Sequence, residues 1–377
     1  DNPNLWSPGV KWGVTPGSMT HLTEFFGPLL GVIRFTKLSE AIDIVNATGY
    51  GLTSAIHSLD DREVDQWKRG IHAGNLYVNR GTTGAIVLRQ PFGGMGRSCI
   101  GPGMKAGGPN YVACFMKFMD VMDAMDVMDV RAFRDADTHN ASTTGGGIGH
   151  ADLATIVARL VADADGRRLR GSLASYDAAW REDFSREHDH FRLLGQDNIR
   201  RSLPFPVVCV RITPADTWFE IVARVAAARV TGARVLASFA PGCPPAWQDI
   251  LDDWTGPWAG GIELLEQSDE TVASLVGEHG LRIRYGGRDR VPSSVRAAAA
   301  ATGHWIADVP VSGVGHVELL WYLREQSVSH DYHRYGNLGR RAGEPRWPSL
   351  AGGSRRSAVV AALHIPFPPL DTARKKP

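Results

Sequence analysis

The feature that most constrains this chain is an alternation of strand-like and helix-like runs between residues 29 and 80. LLGVIRF at 29–35 suits a buried strand, and SEAIDIVNAT at 39–48 carries apolar residues at helical spacing behind a Ser N-cap. LTSAIHS at 52–58 predicts a second strand, DREVDQWKRGI at 61–71 a helix, and NLYVNR at 75–80 a third strand. A βαβαβ order implies a parallel sheet, because strands joined through helical crossovers run the same way. The pattern returns later. ADLATIVARLVADA from 151 reads as an amphipathic helix, followed by a strand at 206–212, a long helix at 215–230, and strands at 233–239 and 280–286. The fold class is therefore α/β, with two units in the 377 residues.

Between the units, VMDAMDVMDV within 119–130 repeats a Met-Asp pair and passes into a polar, Gly-rich stretch, so 119–150 is expected to be a low-complexity linker. The expected domains are thus 1–118 and 151–339. After 339, Pro, Gly and Arg occur without a sustained period, and 340–377 is expected to be a disordered tail. The balance of 41 Lys+Arg against 40 Asp+Glu gives a net charge of +1, which offers no field to hold nucleic acid. No apolar run reaches the roughly 18 residues of a membrane-spanning helix. Four cysteines at 99, 114, 209 and 243 form no CxxC pair, which argues against a zinc ribbon or disulfide framework. A reducing cytoplasmic location is the expectation. The chain opens on Asp1 rather than Met, so a piece of a longer protein is expected.

Two clusters carry chemistry. In TEFFGPLLGVIRF at 23–35, Glu24 precedes a turn and reads first as a surface carboxylate, yet a carboxylate there can also accept hydrogen bonds from two ribose hydroxyls. Phe26 reads first as core and second as a ring against a planar ligand. In the 74–111 stretch, many glycines free the backbone so that amides can converge on an anion. Its GMGRSC substring imitates a dinucleotide fingerprint, but Cys99 stands at the third glycine and the strand-to-helix context is missing. His188, Asp189 and His190, with His330 and His333 at helical i,i+3 spacing, are metal-ligand types without a distant third ligand, so no metal is expected. Arg324, Tyr332, Arg334 and Tyr335 are expected to contact a neighbouring domain. No G-x-S-x-G elbow occurs.

The motifs EFFGP at 24–28, GNLYVNR at 74–80, TTGAIVLRQPFGG at 82–94 and KAGGPNY at 105–111 together resemble the C-terminal part of an aldehyde dehydrogenase catalytic domain. More narrowly, they are similar to the L-glutamate γ-semialdehyde dehydrogenase module of the proline utilization A family. SREHDHFRLLGQDNIRRSLP at 185–204 and LREQSVSHDYHRYGNLG at 323–339 resemble that family's C-terminal accessory domain, itself similar to an aldehyde dehydrogenase Rossmann unit, whose closing motif helps cover an internal substrate passage.

The resemblance implies an α/β fold and NAD as cofactor, with L-glutamate γ-semialdehyde as substrate. It also implies upstream domains of the same parent chain, where a proline dehydrogenase would carry FAD; a homo-oligomer stays open. It implies Glu24 at the nicotinamide ribose and Phe26 beside the nicotinamide. Gly84 and Ala85 would give backbone amides to the substrate carboxylate, and Phe92 would pack on its aliphatic chain. The family's nucleophilic Cys and general-base Glu lie upstream of the matched segment, so no catalytic residue is expected here. Cys99 and Cys114 are expected to be structural thiols. The alternative reading is a non-catalytic module that covers a passage or mediates association.

Overall fold

The computed structural model describes residues 2–118, 164–258, 260–278 and 280–344. The Met-Asp repeat, the start of the 151 helix and most of the expected tail lie outside them. Within the first unit, the Asp61–Gly70 helix shows why its sequence folds locally. Asp60 caps it by accepting from the Arg62 amide at 2.9 Å, with Asp61 and Glu63 in the first turn and Lys68 and Arg69 in the last. Those charges complement the helix dipole, while Val64 and Trp67 are buried.

The strand expected to be buried at 29–35 is shorter and exposed. Leu29–Val32 pairs in parallel only with Gly9–Trp12, in a two-stranded ribbon apart from the strands that follow. Its apolar run therefore marks a face uncovered among the described residues, and not a core strand of the βαβαβ unit. The other two expected strands, Thr53–Ile56 and Asn75–Val78, do run parallel.

What completes their sheet comes from the far end of the chain. Leu323–Asp331 lies parallel to Asn75–Val78, with Ser327 opposite Asn75, and Gln196–Pro204 closes the sheet antiparallel to it. The order is Thr53–Ile56, Asn75–Val78, Leu323–Asp331, Gln196–Pro204. One apolar cluster beneath it joins Ile42, Val64, Trp67, Leu76 and Val78 to Val328, with Ile199 packed against it.

The second unit has its own parallel sheet, ordered Ile262–Glu266, Arg234–Phe239, Val207–Ile212, Leu281–Arg284. The Trp218–Val230 helix covers it and starts at a reciprocal capping box between Thr217 and Glu220. Both units are thus α/β, as expected. The expected i,i+3 helix face of His330 and His333 is not formed, because His330 belongs to the Leu323–Asp331 strand. Residues 339–341 make a short 3-10 turn, and Arg341 forks onto Asp197 at 2.8 and 3.0 Å.

Candidate functional site

The loop from 81 to 93 hangs from the end of the Asn75–Val78 strand and is fastened on both sides. At its start, Asn79 takes a left-handed conformation while its side chain bonds both backbone groups of Ser58, at 3.0 and 2.9 Å. Arg80 then reaches across the sheet to donate to Ser329 Oγ at 2.6 Å and to the Thr83 carbonyl at 3.2 Å. At its end, Phe92 and Ala106 exchange backbone hydrogen bonds of 2.9 and 3.1 Å, and Ser327 Oγ donates to the Pro91 carbonyl at 2.6 Å.

A buried lysine sets the last anchor. The Lys105 ammonium donates to the Gly93 carbonyl, and its backbone amide donates to Glu325 Oε2 at 2.8 Å. Burial lowers its pKa to about 8 against the opposing pull of Cys99 and Glu325. Gly74 is required beneath this clasp, since a Cβ there would lie 1.9 Å from the Gly93 oxygen.

Between the anchors the loop is open. Gly84 has a φ of 81° and a Cβ on it would meet only Arg80, at 3.8 Å. Gly84 and Ala85 are exposed, and among the described residues neither backbone amide donates to a protein acceptor. The Phe92 side chain is also exposed. Sequence reasoning named these three residues but missed Arg80 and Lys105, which hold the loop. A lone lysine inside a Gly-rich run was the available signal; its partner Glu325, 220 positions away, was not readable.

Glu24 and Phe26 belong to another concavity, of about 620 Å³. They line it with Thr20, Thr23, Phe25, Gly27, Pro28, Leu29 and Gly31, and Gly84, Ala85 and Phe92 are not part of its wall. Phe26 is 93% exposed with a φ of 48°, a conformation that disfavours a bulky residue unless its surroundings require it. Among the described residues no hydrogen bond or ion pair engages the Glu24 carboxylate. An exposed acceptor beside a displayed ring fits a ribose and a flat heterocycle.

Among the described residues, charged side chains occupy the carboxyl strand ends of the second unit's sheet, where a doubly wound sheet usually takes a dinucleotide. Arg211, Arg224 and Arg284 fill that end, paired with Asp269 at 2.7 Å, Asp216 at 2.9 Å and Glu318 at 2.9 Å. Asp216 also accepts from the Thr213 amide at 2.5 Å, so a side chain occupies the turn where a phosphate would lie. Four free thiols are present. Burial pushes Cys209 up to about 12 and also raises Cys114 and Cys243, which suppresses the thiolate at each. Among the described residues, no three His, Cys, Asp or Glu side chains are placed to hold a metal ion. Nor is any helix there long and apolar enough to cross a membrane.

Residues 1–121, which carry the fastened glycine loop and the displayed Glu24-Phe26 turn, match the aldehyde dehydrogenase family. More narrowly, the chain is similar to proline utilization A proteins. Over 91 residues it is 50% identical to the bifunctional protein PutA of Salmonella typhimurium, covering 24% of this chain and 7% of the relative. Over 110 residues it is 41% identical to a 1-pyrroline-5-carboxylate dehydrogenase of Geobacillus thermodenitrificans, covering 29% and 21%. The solved structure of proline utilization A from Corynebacterium freiburgense aligns with 88% of this chain at 33% identity and a TM-score of 0.63. The chain covers 28% of that structure, and it spans only 7 to 21% of these two curated relatives.

Proposed function

We propose that this chain supplies the substrate-carboxylate loop and the nicotinamide-side contacts of an NAD-dependent L-glutamate γ-semialdehyde dehydrogenase acting in proline catabolism. It would do so as a piece of a longer multifunctional enzyme, whose upstream part holds the nucleophilic cysteine, the general base and most of the NAD site. An FAD-dependent proline dehydrogenase would lie further upstream. The observation that carries this reading is the pair of unengaged amides at Gly84 and Ala85, on a loop anchored by Arg80, Lys105 and Ser327. A carboxylate is the group such donors suit, because charge-assisted hydrogen bonds are short and strong.

When bound, NAD is the hydride acceptor of this reaction class. This chain's own contribution is positional. Glu24 would accept from the ribose hydroxyls, Phe26 would lie along the nicotinamide, and Phe92 would exclude water from the substrate's aliphatic chain. With no nucleophile of its own, the isolated chain should not oxidise the semialdehyde.

Kinetics in a parent enzyme containing this segment test the loop. Gly84→Val places a branched side chain where the backbone holds a φ of 81°. It should raise KM for the semialdehyde at least tenfold more than for an aldehyde lacking the carboxylate, since each charge-assisted bond contributes about 1.5–3 kcal/mol. Phe92→Ala should weaken both substrates alike. Equal penalties on the two aldehydes in Gly84→Val would sink the assignment.

A further inference from the structure

The buried arginines of the second unit follow a rule that one site breaks. Arg211, Arg224 and Arg284 each reach a carboxylate. Arg282, only 4% exposed, does not: it donates to the Trp305 carbonyl at 3.0 Å and the Pro102 carbonyl at 2.9 Å, and its Nε has no partner. Arg324 is half-buried with its Nε enclosed and unpartnered, and among the described residues no carboxylate lies within ion-pair distance of either guanidinium. Both stack on the Phe205 ring, at 4.2 and 4.9 Å from its centroid. Burying charge without a counter-charge is unfavourable. Here desolvation lowers the Arg282 pKa to about 9 against the opposing pull of Cys99, and the neighbouring Arg324 charge adds to the lowering.

Both arginines line one cavity of about 250 Å³ between the 94–103 loop and the second unit. Arg97, His304 and Cys99 share its wall. Glu278 is the acid that lines it; it is exposed, and among the described residues it pairs with neither guanidinium. The loop side is glycine at 94, 96, 101 and 103; the space beside Gly101 is open, whereas Gly94 and Gly96 lie tight against other backbone and Gly103 against Arg324.

We propose that this cavity binds a small polyvalent oxyanion of the phosphate class, with Arg282 and Arg324 as its principal donors. The volume suits one such group, and guanidinium N–H groups match its oxygens. The ligand is thereby enclosed between the aldehyde dehydrogenase segment and the second unit. Because the Pro102 carbonyl already holds Arg282, occupancy stabilises the packing of the two.

Titration calorimetry of the 377-residue chain with inorganic phosphate, at ionic strength fixed with chloride, tests the site. Saturable binding with a dissociation constant of millimolar or below is expected, with a matching rise in melting temperature. Arg324→Gln should weaken it at least tenfold, Arg324→Lys less, and Arg234→Gln not at all, since Arg234 is exposed and paired with Glu263 elsewhere. Circular dichroism of each variant establishes that it is folded. A parallel titration with glycerol phosphate separates the two forms of the ligand. Binding comparable to phosphate identifies a monoester, and exclusion identifies the free ion. Heats that do not saturate, or equal affinity in folded Arg324→Gln and the unaltered chain, would overturn the proposal.

Discussion

At the scale of single residues, the proposed binding side chains and the stabilising ones separate by what they already touch. Glu24 is unengaged among the described residues, so replacing it removes little from the fold. Glu24→Ala in a parent enzyme should therefore weaken NAD binding by about tenfold, corresponding to one charged hydrogen bond of about 1.5 kcal/mol, with the melting temperature unchanged. Fluorescence titration with NADH reads this directly; unchanged affinity would return Glu24 to an ordinary surface residue. Asp183 is the opposite case. His188 Nε2 stands 2.8 Å from its carboxylate, Arg200 lies at 3.3 Å and His316 at 3.9 Å. The His188 hydrogen bond is the main reason its pKa falls from 3.8 to about 2, and Asp183 in turn raises that of His188 above 6.5. The depressed carboxylate stabilises the fold above pH 3.8 and loses that contribution as pH falls through 2. The raised imidazole contributes fully below pH 6.5 and loses its contribution as pH climbs through its folded pKa. Their joint effect is greatest between about pH 4 and 6.5. His188→Gln should lower the urea midpoint more at pH 5 than at pH 8.5, and an equal loss at both would remove the ion pair from the account.

Among the elements, the Leu323–Asp331 strand links most of what has been described. Gln326 is fully buried in it; Nε2 donates to the Ala73 carbonyl at 2.7 Å, and Oε1 accepts from Arg201 at 2.8 and 2.5 Å. Gln326→Leu leaves the Ala73 carbonyl without this donor and takes one acceptor from Arg201, which keeps Lys68 and Glu187, with an expected loss of about 1–3 kcal/mol. A denaturant midpoint within error of the unaltered chain would show that these contacts are replaceable. This strand also marks where the sequence stopped being legible. Thr53–Ile56, Asn75–Val78 and the Asp61–Gly70 helix were readable because caps, alternation and helical spacing are local signals. Leu323–Asp331 was not: LREQSVSHD interleaves Glu, Gln and Ser that are buried only because partners from residue 73 to 201 satisfy them. The opposite error arose at Leu29–Val32, whose apolar run looked like core although its strand is mostly exposed. The site divides in the same way. Glycine, Glu24 and Phe92 were visible through motif, whereas the Arg80 and Lys105 anchors depend on acceptors placed by the fold.

For the whole molecule, the shared sheet decides which parts can stand alone. Residues 1–118 bring two short parallel strands, a ribbon at Gly9–Trp12 and Leu29–Val32, and an apolar cluster that is completed by Val328 and Ile199. Their surface displays Trp6, Trp12 and Phe26, and two-stranded ribbons are marginal in water. Residues 164–344 instead hold a four-stranded parallel sheet and two clusters, one spanning Leu173, Val210, Ile221, Phe239 and Leu320, the other Val272, Ile283 and Val295. Their Gln196–Pro204 and Leu323–Asp331 strands stay paired over nine residues without the first unit. Expressed separately, 164–344 should melt cooperatively, and 1–118 should show no cooperative transition and should bind hydrophobic dyes. Mixing the two should restore protection of the Asn75–Val78 amides in hydrogen exchange, because Leu323–Asp331 offers that strand its missing neighbour. A sharp melt from 1–118 alone would show that Val328 and the far strands decorate a self-sufficient unit and do not complete its core.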